Sequence, residues 1–406
     1  MFDGLMTQPN TGASTIQRGL ASVRRHLGME VAYVSKFVDG MSLYREVDAP
    51  GLEALIKPGD TRSLEEVYCR HILAGTLPEL IPDTSRESLA ASLPITAALP
   101  IGSHMSVPIR LPDGTPYGMF CCLSPRANPT LNARDLAVMR VFAELAAHEI
   151  AREVAEEETR ATRLAEVREV IRDGMFAFRF QPILAIQPFQ VVGFEALTRF
   201  TAEPYRSPDI WFDAAHAVGL GVELESAVLR QAARAVIRLP YPTFVSVNAS
   251  PRVILAGKLA SVFAGLPLDR LVLEVTEHEK VEDYAALRVA LAPLRKEGIR
   301  LAIDDAGAGY SSLRHILQLR PDIIKLDMGL TRDVDRDPAK RALAAALCHF
   351  ARETGCQIVA EGIETEAEFS TLEALGVAKG QGYLLGKPGD LATANGLVGL
   401  PAELRG

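Results

Sequence analysis

The sequence predicts an α/β protein in which a C-terminal (β/α)8 TIM-like barrel, with its first strand antiparallel, follows an α+β domain with an antiparallel sheet. After Asp173-Gly174, short runs rich in β-branched residues alternate with helical segments, which is typical of a mostly parallel sheet. Before that point, two strand pairs alternate with helices, which favours an antiparallel sheet. The predicted boundaries are 1–131 for the first domain, 132–172 for a connecting helix and 173–406 for the barrel.

Length and composition narrow the class of protein. The 406 residues suit two domains, and 48% hydrophobic with 23% charged residues are typical of a globular chain with a sizeable core. The net charge of −8 argues against sequence-independent binding of long nucleic acid, although bound metal ions would still allow a small anion to bind. We find neither the pattern of a signal peptide nor an apolar run that approaches the length of a membrane-spanning helix, about 20 residues. We therefore expect a cytoplasmic protein without membrane insertion.

Two hairpins and three helices make up the predicted first domain. Asp39-Gly40 and Pro112-Asp113-Gly114 are turn sequences between strand-like runs. From Asn132 a helical pattern continues without Gly or Pro. We interpret that helix as a connector that pairs in a homodimer, and a solvated single helix is the alternative. The predicted elements are a helix at 14–27, strands at 29–37 and 41–47, a helix at 64–73, strands at 104–111 and 117–123, and the helix at 132–172.

Strands separated by helical stretches make up the predicted barrel. The first two strands are joined by only a few residues, which is too short for a parallel crossover, so we expect that pair to be antiparallel. The predicted strands lie near 178–186, 190–198, 243–249, 271–276, 300–305, 322–327, 357–361 and 381–385. The predicted helices include 222–239, 283–297, 338–354 and 366–375.

Polar side chains follow most of these predicted strands at the point where the strand ends. Asn248 follows Phe244-Val245-Ser246-Val247, and Glu274 follows Leu271-Val272-Leu273. In a (β/α)8 barrel, the carboxyl ends of the strands carry the active site. The residues of this series are Glu195, Asn248, Glu274, Asp304, Asp305, Lys325, Glu361 and Gln381.

The oxygen atoms in this series indicate a site for hard divalent cations, Mg²⁺ or Mn²⁺. The neighbours Asp304 and Asp305 can reach one site only where the strand ends and the backbone turns, and Gly307, Gly309 and Ser311 are expected to supply that turn. Two divalent ions about 3.5–4 Å apart are a recurring arrangement for phosphodiester hydrolysis. Lys325 could hold the attacking water in such a site, and an exposed charge at a strand end is its alternative interpretation.

Residues from about 175 to 390 resemble the EAL-domain cyclic-di-GMP phosphodiesterases. The resemblance implies a barrel with a reversed first strand and metal-dependent hydrolysis of one phosphodiester bond of cyclic di-GMP, giving linear pGpG. The matching motifs are Phe180-Gln181-Pro182-Ile183, Glu195-Ala196-Leu197-Thr198-Arg199, Asn248-Ala249-Ser250-Pro251, Glu274-Val275-Thr276-Glu277, Asp304-Asp305-Ala306-Gly307-Ala308-Gly309-Tyr310-Ser311, Lys325-Leu326-Asp327, Glu361-Gly362-Ile363-Glu364-Thr365 and Gln381-Gly382-Tyr383.

The resemblance also implies roles for individual residues, with two Mg²⁺ or Mn²⁺ ions per active site. The implied ligands of one ion are Glu195, Asn248, Glu274 and Asp304. The implied ligands of the other ion are Asp304 and Asp305, with Glu361 close by. The implied catalytic residues are Lys325, which orients the attacking water, Glu361, and Glu277, which braces the loop after Asp305. The implied contacts to substrate or its coordination shell are Gln181, Arg199 and Gln381.

One departure from the family is Ala306, where a Phe usually follows the Asp-Asp pair. In the family, that loop couples the metal site to the dimer interface. A smaller side chain there would loosen the loop without removing a ligand. We therefore expect an effect on rate or regulation, with the identity of the site unchanged.

Residues from about 14 to 150 resemble a GAF domain, on element order and on the run from Asp113 to Cys122. Such domains share a fold more than a site, so an unknown small ligand, or dimerisation without a ligand, would fit. Cys69-Arg70-His71 could attach a chromophore or haem; the alternative is that Cys69 packs and His71 is at the surface. Cys121 and Cys122 should face opposite sides of a strand, which argues against a shared metal and for ordinary thiols.

Two functions from different classes fit these motifs. One is an active cyclic-di-GMP phosphodiesterase controlled by the GAF-like domain. The other is a catalytically silent receptor that binds cyclic di-GMP and signals through a partner protein. Silent receptors usually lack metal ligands, whereas every expected ligand occurs in this chain, so we expect the enzyme.

Overall fold

The chain divides into two compact units, Met1–Thr159 and Arg160–Gly406. The residues described in the computed structural model are 14–275, 281, 283–306 and 310–398, with backbone alone for 310–312. Within these ranges, no helix combines the length and the apolar composition that a bilayer-spanning segment needs.

The first unit is an α+β domain on an antiparallel sheet, as predicted. Its described strands are β1 (Val31–Val38), β2 (Met41–Asp48), β3 (Thr61–Ser63), β4 (Leu80–Ile81), β5 (Ser103–Arg110) and β6 (Pro116–Ser124). Their order across the sheet is β3-β2-β1-β6-β5-β4, and every pairing is antiparallel. Its described helices are α1 (Thr15–Leu27), α2 (Tyr68–Leu73), α3 (Ser88–Ser92), α4 (Pro94–Ala98) and α5 (Ala133–Asp173), the last of which contains the point of division.

The turns of the first unit follow from local sequence. Between β1 and β2, Asp39 and Gly40 both have positive φ, 49° and 76°, which Gly and Asp tolerate and which a two-residue hairpin of this hand requires. The predicted helix at 64–73 is shorter than expected and begins at Tyr68. The backbone N–H of Leu64 donates to Gly40 O at 3.0 Å, so the start of that segment continues the edge pairing of β3 instead of a helix.

The sheet separates two apolar layers. Cys121 belongs to the layer that α2 covers, and its neighbour Cys122 belongs to the layer against α1 and α5. The predicted opposite orientation of these two cysteines is therefore confirmed. A strand alternates its side chains between faces, so adjacent thiols in β6 cannot share one environment.

The second unit contains a closed barrel. Its described strands are β7 (Phe176–Ala185), β8 (Gln190–Phe200), β9 (Phe244–Ala249), β10 (Leu271–Val275), β11 (Arg300–Ala306), β12 (Ile323–Leu326), β13 (Gln357–Ala360) and β14 (Lys379–Gly380). Strand β7 is antiparallel to both of its neighbours, β8 and β14, and the other pairs are parallel. The prediction of a barrel with a reversed first strand is confirmed.

The last predicted strand, at 381–385, is wrong. The strand is Lys379–Gly380, and the chain then turns over Ile363, whose N–H donates to Gln381 O and whose carbonyl accepts from Leu384 N–H, both at 3.1 Å. A Cβ on Gly382 would lie 2.2 Å from the Ile363 backbone, so this close approach requires glycine. The turn aims Gln381 into the barrel end.

Helices surround the barrel and bury its outer face. They are α6 (Pro208–Ala217), α7 (Gly221–Ala233), α8 (Pro251–Leu255), α9 (Leu259–Val262), α10 (Tyr284–Lys296), α11 (Tyr310–Leu319), α12 (Met328–Thr331), α13 (Pro338–Thr354), α14 (Glu366–Ala374) and α15 (Leu391–Leu397). Several of them begin with capping residues that satisfy free backbone N–H groups. Thr365 and Glu368 form a capping box at α14, and Asp337 caps α13.

The amino-terminal end of the barrel is closed by an apolar plug with two cations around it. Phe244 lies in that plug, with Arg300 Cζ 4.6 Å and Lys379 Nζ 5.3 Å from its ring centroid. Lys379 Nζ also donates to Gln357 Oε1 at 2.7 Å. Burial, together with the nearby positive charge of Arg300, lowers the pKa of Lys379 to about 8. The folded protein therefore disfavours the charged form of this lysine.

Stability should depend on pH through Lys379. Above about pH 8 the folded lysine is neutral while the unfolded one, with a pKa near 10.4, keeps its proton, so stability rises with pH in this window. The free energy of unfolding of the wild type relative to Lys379→Met should increase by about 1–2 kcal/mol between about pH 7 and pH 9.5. Urea unfolding of both proteins at the two pH values measures this, and a constant difference would contradict it.

Candidate functional site

An ammonium group surrounded by carboxylates lies at the carboxyl end of the barrel strands. Lys325 Nζ on β12 lies 2.6 Å from Glu274 Oε2, 2.7 Å from Glu361 Oε1, 3.1 Å from Asp304 Oδ1 and 3.5 Å from Glu195 Oε2. The Lys325 side chain is only 2% exposed. The interpretation of Lys325 as an exposed charge is therefore wrong, because the closed barrel places β12 among the strands that carry these carboxylates.

Two amide side chains hold the carboxylate of Glu195 from either side. Asn248 Nδ2 donates to Glu195 Oε1 at 3.1 Å, and Gln381 Nε2 donates to Glu195 Oε2 at 2.8 Å. Gln381 Nε2 also lies 3.0 Å from Gln181 Oε1, which brings β7 into the same cluster. Each oxygen of Glu195 thus has a donor, and the rotamer of the carboxylate is fixed.

The adjacent aspartates reach one site because the strand bulges between them. The pairing of β11 with β12 shifts register between Ile303 and Ala306, and Asp305 takes a positive φ of 53°. Aspartate tolerates this conformation better than bulkier residues do. Carboxylate oxygens of Asp304, Asp305 and Glu361 then lie within 4.8 Å of one another. The two aspartates are thus brought together by a bulge within β11, whereas Gly307 and Gly309 of the predicted turn lie outside the described residues.

Ala306 lies just beyond this bulge, at the end of β11. It is fully buried and pairs with Leu326 on β12. A phenylalanine there would have to displace neighbouring side chains, because interiors are close-packed.

Burial and mutual repulsion dominate the electrostatics of the cluster. Burial, with the neighbouring charges of Glu195 and Asp304, raises the pKa of Glu274 to about 8 despite the adjacent ammonium. Burial also raises the pKa of Glu361 well above its usual value. Burial alone would lower the pKa of Lys325, but the surrounding carboxylates outweigh it and hold that pKa well above its ordinary value. One ammonium does not neutralise this many carboxylates, so the site favours additional positive charge.

The oxygen atoms of the cluster suit hard divalent cations. Asn248 Oδ1 is buried and accepts no hydrogen bond from the described residues, and Asp304 Oδ1 has the Lys325 ammonium, at 3.1 Å, as its one near partner among them. Buried acceptors are normally satisfied. Oxygen donors from carboxylates and an amide, gathered in one place with excess negative charge, are the set that Mg²⁺ and Mn²⁺ prefer.

One predicted site residue, Arg199, stands apart from the cluster. Arg199 Nη1 donates to the carbonyl of Thr198 at 2.7 Å and lines a cleft of about 560 Å³ that opens beside Asn248. Glu277 lies outside the described residues, as do Gly307 and Gly309.

Supporting residues that the motifs did not reveal hold the cluster in place. Ser246 on β9 donates a short hydrogen bond to Glu274 Oε1, on the face from which Asn248 also projects. The two-residue spacing of Ser246 and Asn248 indicates that Ser246 also faces the site, since residues i and i+2 share a face of a strand. Glu225 on α7 accepts from the hydroxyl of Ser250 at 2.6 Å and so fixes the turn after β9. No local signal in the sequence of α7 indicates that contact.

Family models match most of the chain. The EAL domain model matches residues 164–388, and the GAF domain model matches residues 13–150. An uncharacterised protein, y4lL of Sinorhizobium fredii, is 32% identical over 247 residues, covering 59% of this chain and 30% of that protein. The cyclic di-GMP phosphodiesterase NbdA of Pseudomonas aeruginosa is 32% identical over 239 residues, covering 56% of this chain and 30% of that protein. The chain thus matches about a third of the length of these curated relatives.

A solved structure has the same barrel. The PaMucR phosphodiesterase, in a c-di-GMP complex, is 28% identical with a TM-score of 0.51, and the match covers 57% of this chain and 99% of that one.

Removing the ammonium should destabilise the barrel unit. Lys325→Met leaves several carboxylates buried without their partner, which typically costs about 3–5 kcal/mol of unfolding free energy. Adding Glu274→Gln to that variant should recover part of the loss, because an amide cannot ionise beside Glu195 and Asp304, whose charges already help to raise the pKa of Glu274 to about 8. Urea unfolding with metal ions chelated measures both effects.

The matched control for this experiment is Lys258→Met. Lys258 pairs with Glu223 at 3.2 Å, but both side chains are about half exposed. Its removal should cost under about 1 kcal/mol. Equal losses for Lys258→Met and Lys325→Met would mean that the buried cluster does not depend on its ammonium.

Proposed function

The chain belongs to the EAL-domain family, and on that premise we propose that its barrel hydrolyses cyclic di-GMP to linear pGpG in a metal-dependent reaction. The observation that carries the proposal is the gathering of Glu195, Asn248, Glu274, Asp304 and Lys325 at one barrel end, where Asn248 Oδ1 has no partner among the described residues. The name of the NbdA relative and the PaMucR complex with c-di-GMP support this substrate.

The residues present fit a pair of Mg²⁺ or Mn²⁺ ions. One ion would be held by Glu195, Asn248, Glu274 and Asp304, and the other by Asp304 and Asp305 with Glu361 close by. Bound divalent ions lower the pKa of a water and stabilise charge on the attacking and leaving oxygens. The carboxylate positions are set by donors from neighbouring strands, so the ligands are organised before any ion binds.

Lys325 would act on the attacking water. Its Nζ is a donor in the middle of the cluster and cannot move far, because it is buried and paired with Glu274 and Glu361. A fixed ammonium donates a hydrogen bond to a nucleophilic oxygen and offsets negative charge as the phosphodiester is attacked. The elevated pKa of Lys325 keeps the group protonated, so it serves as a donor and not as a base.

Substrate binding would use a cleft at the edge of the cluster, which Asn248 shares with α6 and α7 and which none of the carboxylates around Lys325 lines. Its volume of about 560 Å³ lies within the usual range of about 300–1,000 Å³ for small-molecule sites. Arg199 lines it and offers a guanidinium to a phosphate. Gln181 and Gln381 would contact substrate or its coordination shell from the strands on the other side of Glu195.

We further propose that the GAF-like domain regulates the barrel within a homodimer. The GAF model ends at residue 150, inside α5, and α5 ends directly before the first barrel strand. An uninterrupted helix of this length can transmit a shift if a ligand favours one arrangement over another. The boundaries 1–131, 132–172 and 173–406 belong to this proposal.

The central test is product formation. Purified protein incubated with cyclic di-GMP and Mg²⁺ or Mn²⁺ should yield pGpG, which ion-exchange chromatography detects. A chelator should stop the reaction reversibly.

Glu195→Gln and Asp304→Asn should lower the rate by about 100-fold or more, since each removes a charged ligand. Glu373→Gln, which removes a carboxylate bonded only to Gln187 in the described contacts, should leave the rate unchanged. Tight binding without any product would favour the silent receptor instead.

Kinetic parameters should separate binding from chemistry. Arg199→Ala should raise KM by about tenfold with a smaller change in kcat, because a charge-assisted phosphate contact is lost. Lys325→Met should lower kcat with little change in KM, because its proposed role concerns the attacking water. Both kcat and KM are measured for each variant at a temperature where it is folded. A loss of kcat in Arg199→Ala together with a raised KM in Lys325→Met would contradict the assignment.

A further inference from the structure

The last turns of α5 pack against the barrel and form part of its core. The residues of α5 from Arg160 onward belong to the second unit. Within them, Val167 and Val170 are at most 1% exposed and lie in the same apolar cluster as Trp211 of α6. Because such a cluster is close-packed, a displacement of the end of α5 must be accommodated by α6.

One arginine ties these two helices together beside the apolar cluster. Arg206 stands directly before Ser207, the N-cap residue of α6. Its Nη1 and Nη2 donate to the two carboxylate oxygens of Glu166 on α5, at 2.8 and 3.3 Å, and its Cζ lies 4.9 Å from the centroid of the Trp211 ring. A planar guanidinium can bond to both oxygens of a carboxylate and stack on a ring, which an ammonium cannot. We call Glu166, Arg206 and Trp211 the α5 clamp.

The α5 clamp supports one wall of the cleft that Arg199 lines. The Trp211 ring stacks on Phe200 with the centroids 5.6 Å apart, and the Phe212 ring meets Phe200 edge-on at 5.7 Å. Phe200 follows Arg199 on β8, and successive residues of a strand point to opposite sides. Phe212 and Arg199 both line the cleft, whereas Trp211 is 1% exposed. The α5 clamp thus contacts this wall from its buried side.

Other elements hold the carboxylates of the candidate metal site. The carboxylate of Glu195 accepts hydrogen bonds from Asn248 and Gln381, and that of Glu274 accepts one from Ser246. These donors lie on β9 and directly after β14, not on α6. A small displacement of α6 would therefore move the wall of the cleft while the carboxylates keep their donors. Binding of a ligand in the cleft is the property that the α5 clamp can change by itself.

We propose that Glu166 and Arg206 are positioning residues that hold the α6 wall of the cleft, so that the position of α5 on α6 governs substrate affinity. Given the proposed function of the barrel, on which this rests, regulation through α5 acts on the binding of cyclic di-GMP. A signal that breaks the α5 clamp lowers the affinity of the cleft, because the wall beside Arg199 loses its support. The chemical step then keeps its rate, since the carboxylates do not depend on α6.

Conservative variants of the full-length protein separate this role from the chemistry. Arg206→Lys keeps the charge but loses the contact with both oxygens, and Glu166→Gln keeps the size but loses the charge. Each should raise KM for cyclic di-GMP by about fivefold, the lower end of typical coupling between sites, with kcat within about twofold of the wild type. The double variant should have the KM of the worse single variant, because Glu166 acts through Arg206.

The matched control is Arg295→Lys. Arg295 on α10 donates to both carboxylate oxygens of Asp322 at 3.1 Å, and these side chains are 32% and 38% exposed, against 26% and 33% for Arg206 and Glu166. Neither Arg295 nor Asp322 is among the described residues that line the cleft. Weakening this ion pair should leave KM unchanged. An equal rise in KM for Arg295→Lys would overturn the proposal, because general loosening of the barrel would then explain the weaker binding.

Hydrogen exchange of the ligand-free protein tests the α5 clamp without relying on turnover. Amides of α6 should exchange faster in Arg206→Lys and in Glu166→Gln than in the wild type, while those of α10 keep their wild-type rate, and mass spectrometry of peptides measures both. Unchanged exchange in α6, or an unchanged KM in Arg206→Lys, would overturn the proposal. A wild-type protein that forms no pGpG would count against the proposed function, and exchange in α6 would then decide alone whether the α5 clamp holds this wall.

Discussion

The candidate site depends on one buried ammonium that several carboxylates share. Lys325 and its acidic partners would each be costly to bury alone, by several kcal/mol per ion, and they are tolerated because they are buried together. The partners come from β8, β10, β11 and the end of β13, so only the closed barrel brings them around β12. The charge that remains unbalanced is what makes this end of the barrel suitable for metal ions.

Hydrogen bonds from neighbouring strands hold these carboxylates in a defined geometry. Asn248 and Gln381 fix Glu195, and Ser246 fixes Glu274. The bulge after Ile303 lets the side chains of Asp304 and Asp305 reach the same site, because a regular strand would send them to opposite faces. Ligand positions in this barrel are therefore set by backbone irregularities and amide donors as much as by the acidic residues themselves.

The two units bury polar groups in different ways. In the barrel, charged groups are paired with one another around Lys325. In the first unit, buried polar groups without a formal charge pair with each other, as where Ser106 Oγ lies 3.1 Å from Cys121 Sγ. The barrel arrangement suits an ionic ligand, whereas the pairing in the first unit needs no counter-ion.

The sequence alone determined the fold class, the reversed first strand and the identity of the clustered residues, because strand periodicity, a short first connection and polar residues at strand ends are local signals. Tertiary structure decided the rest. The last strand ends at Gly380 because Gly382 packs on the Ile363 backbone, a contact between distant segments. Likewise, the burial of Lys325 and the support from Ser246 and Glu225 arise only when separate elements pack. Local periodicity carries no information on such long-range contacts, and these contacts set the charge and protonation of each site.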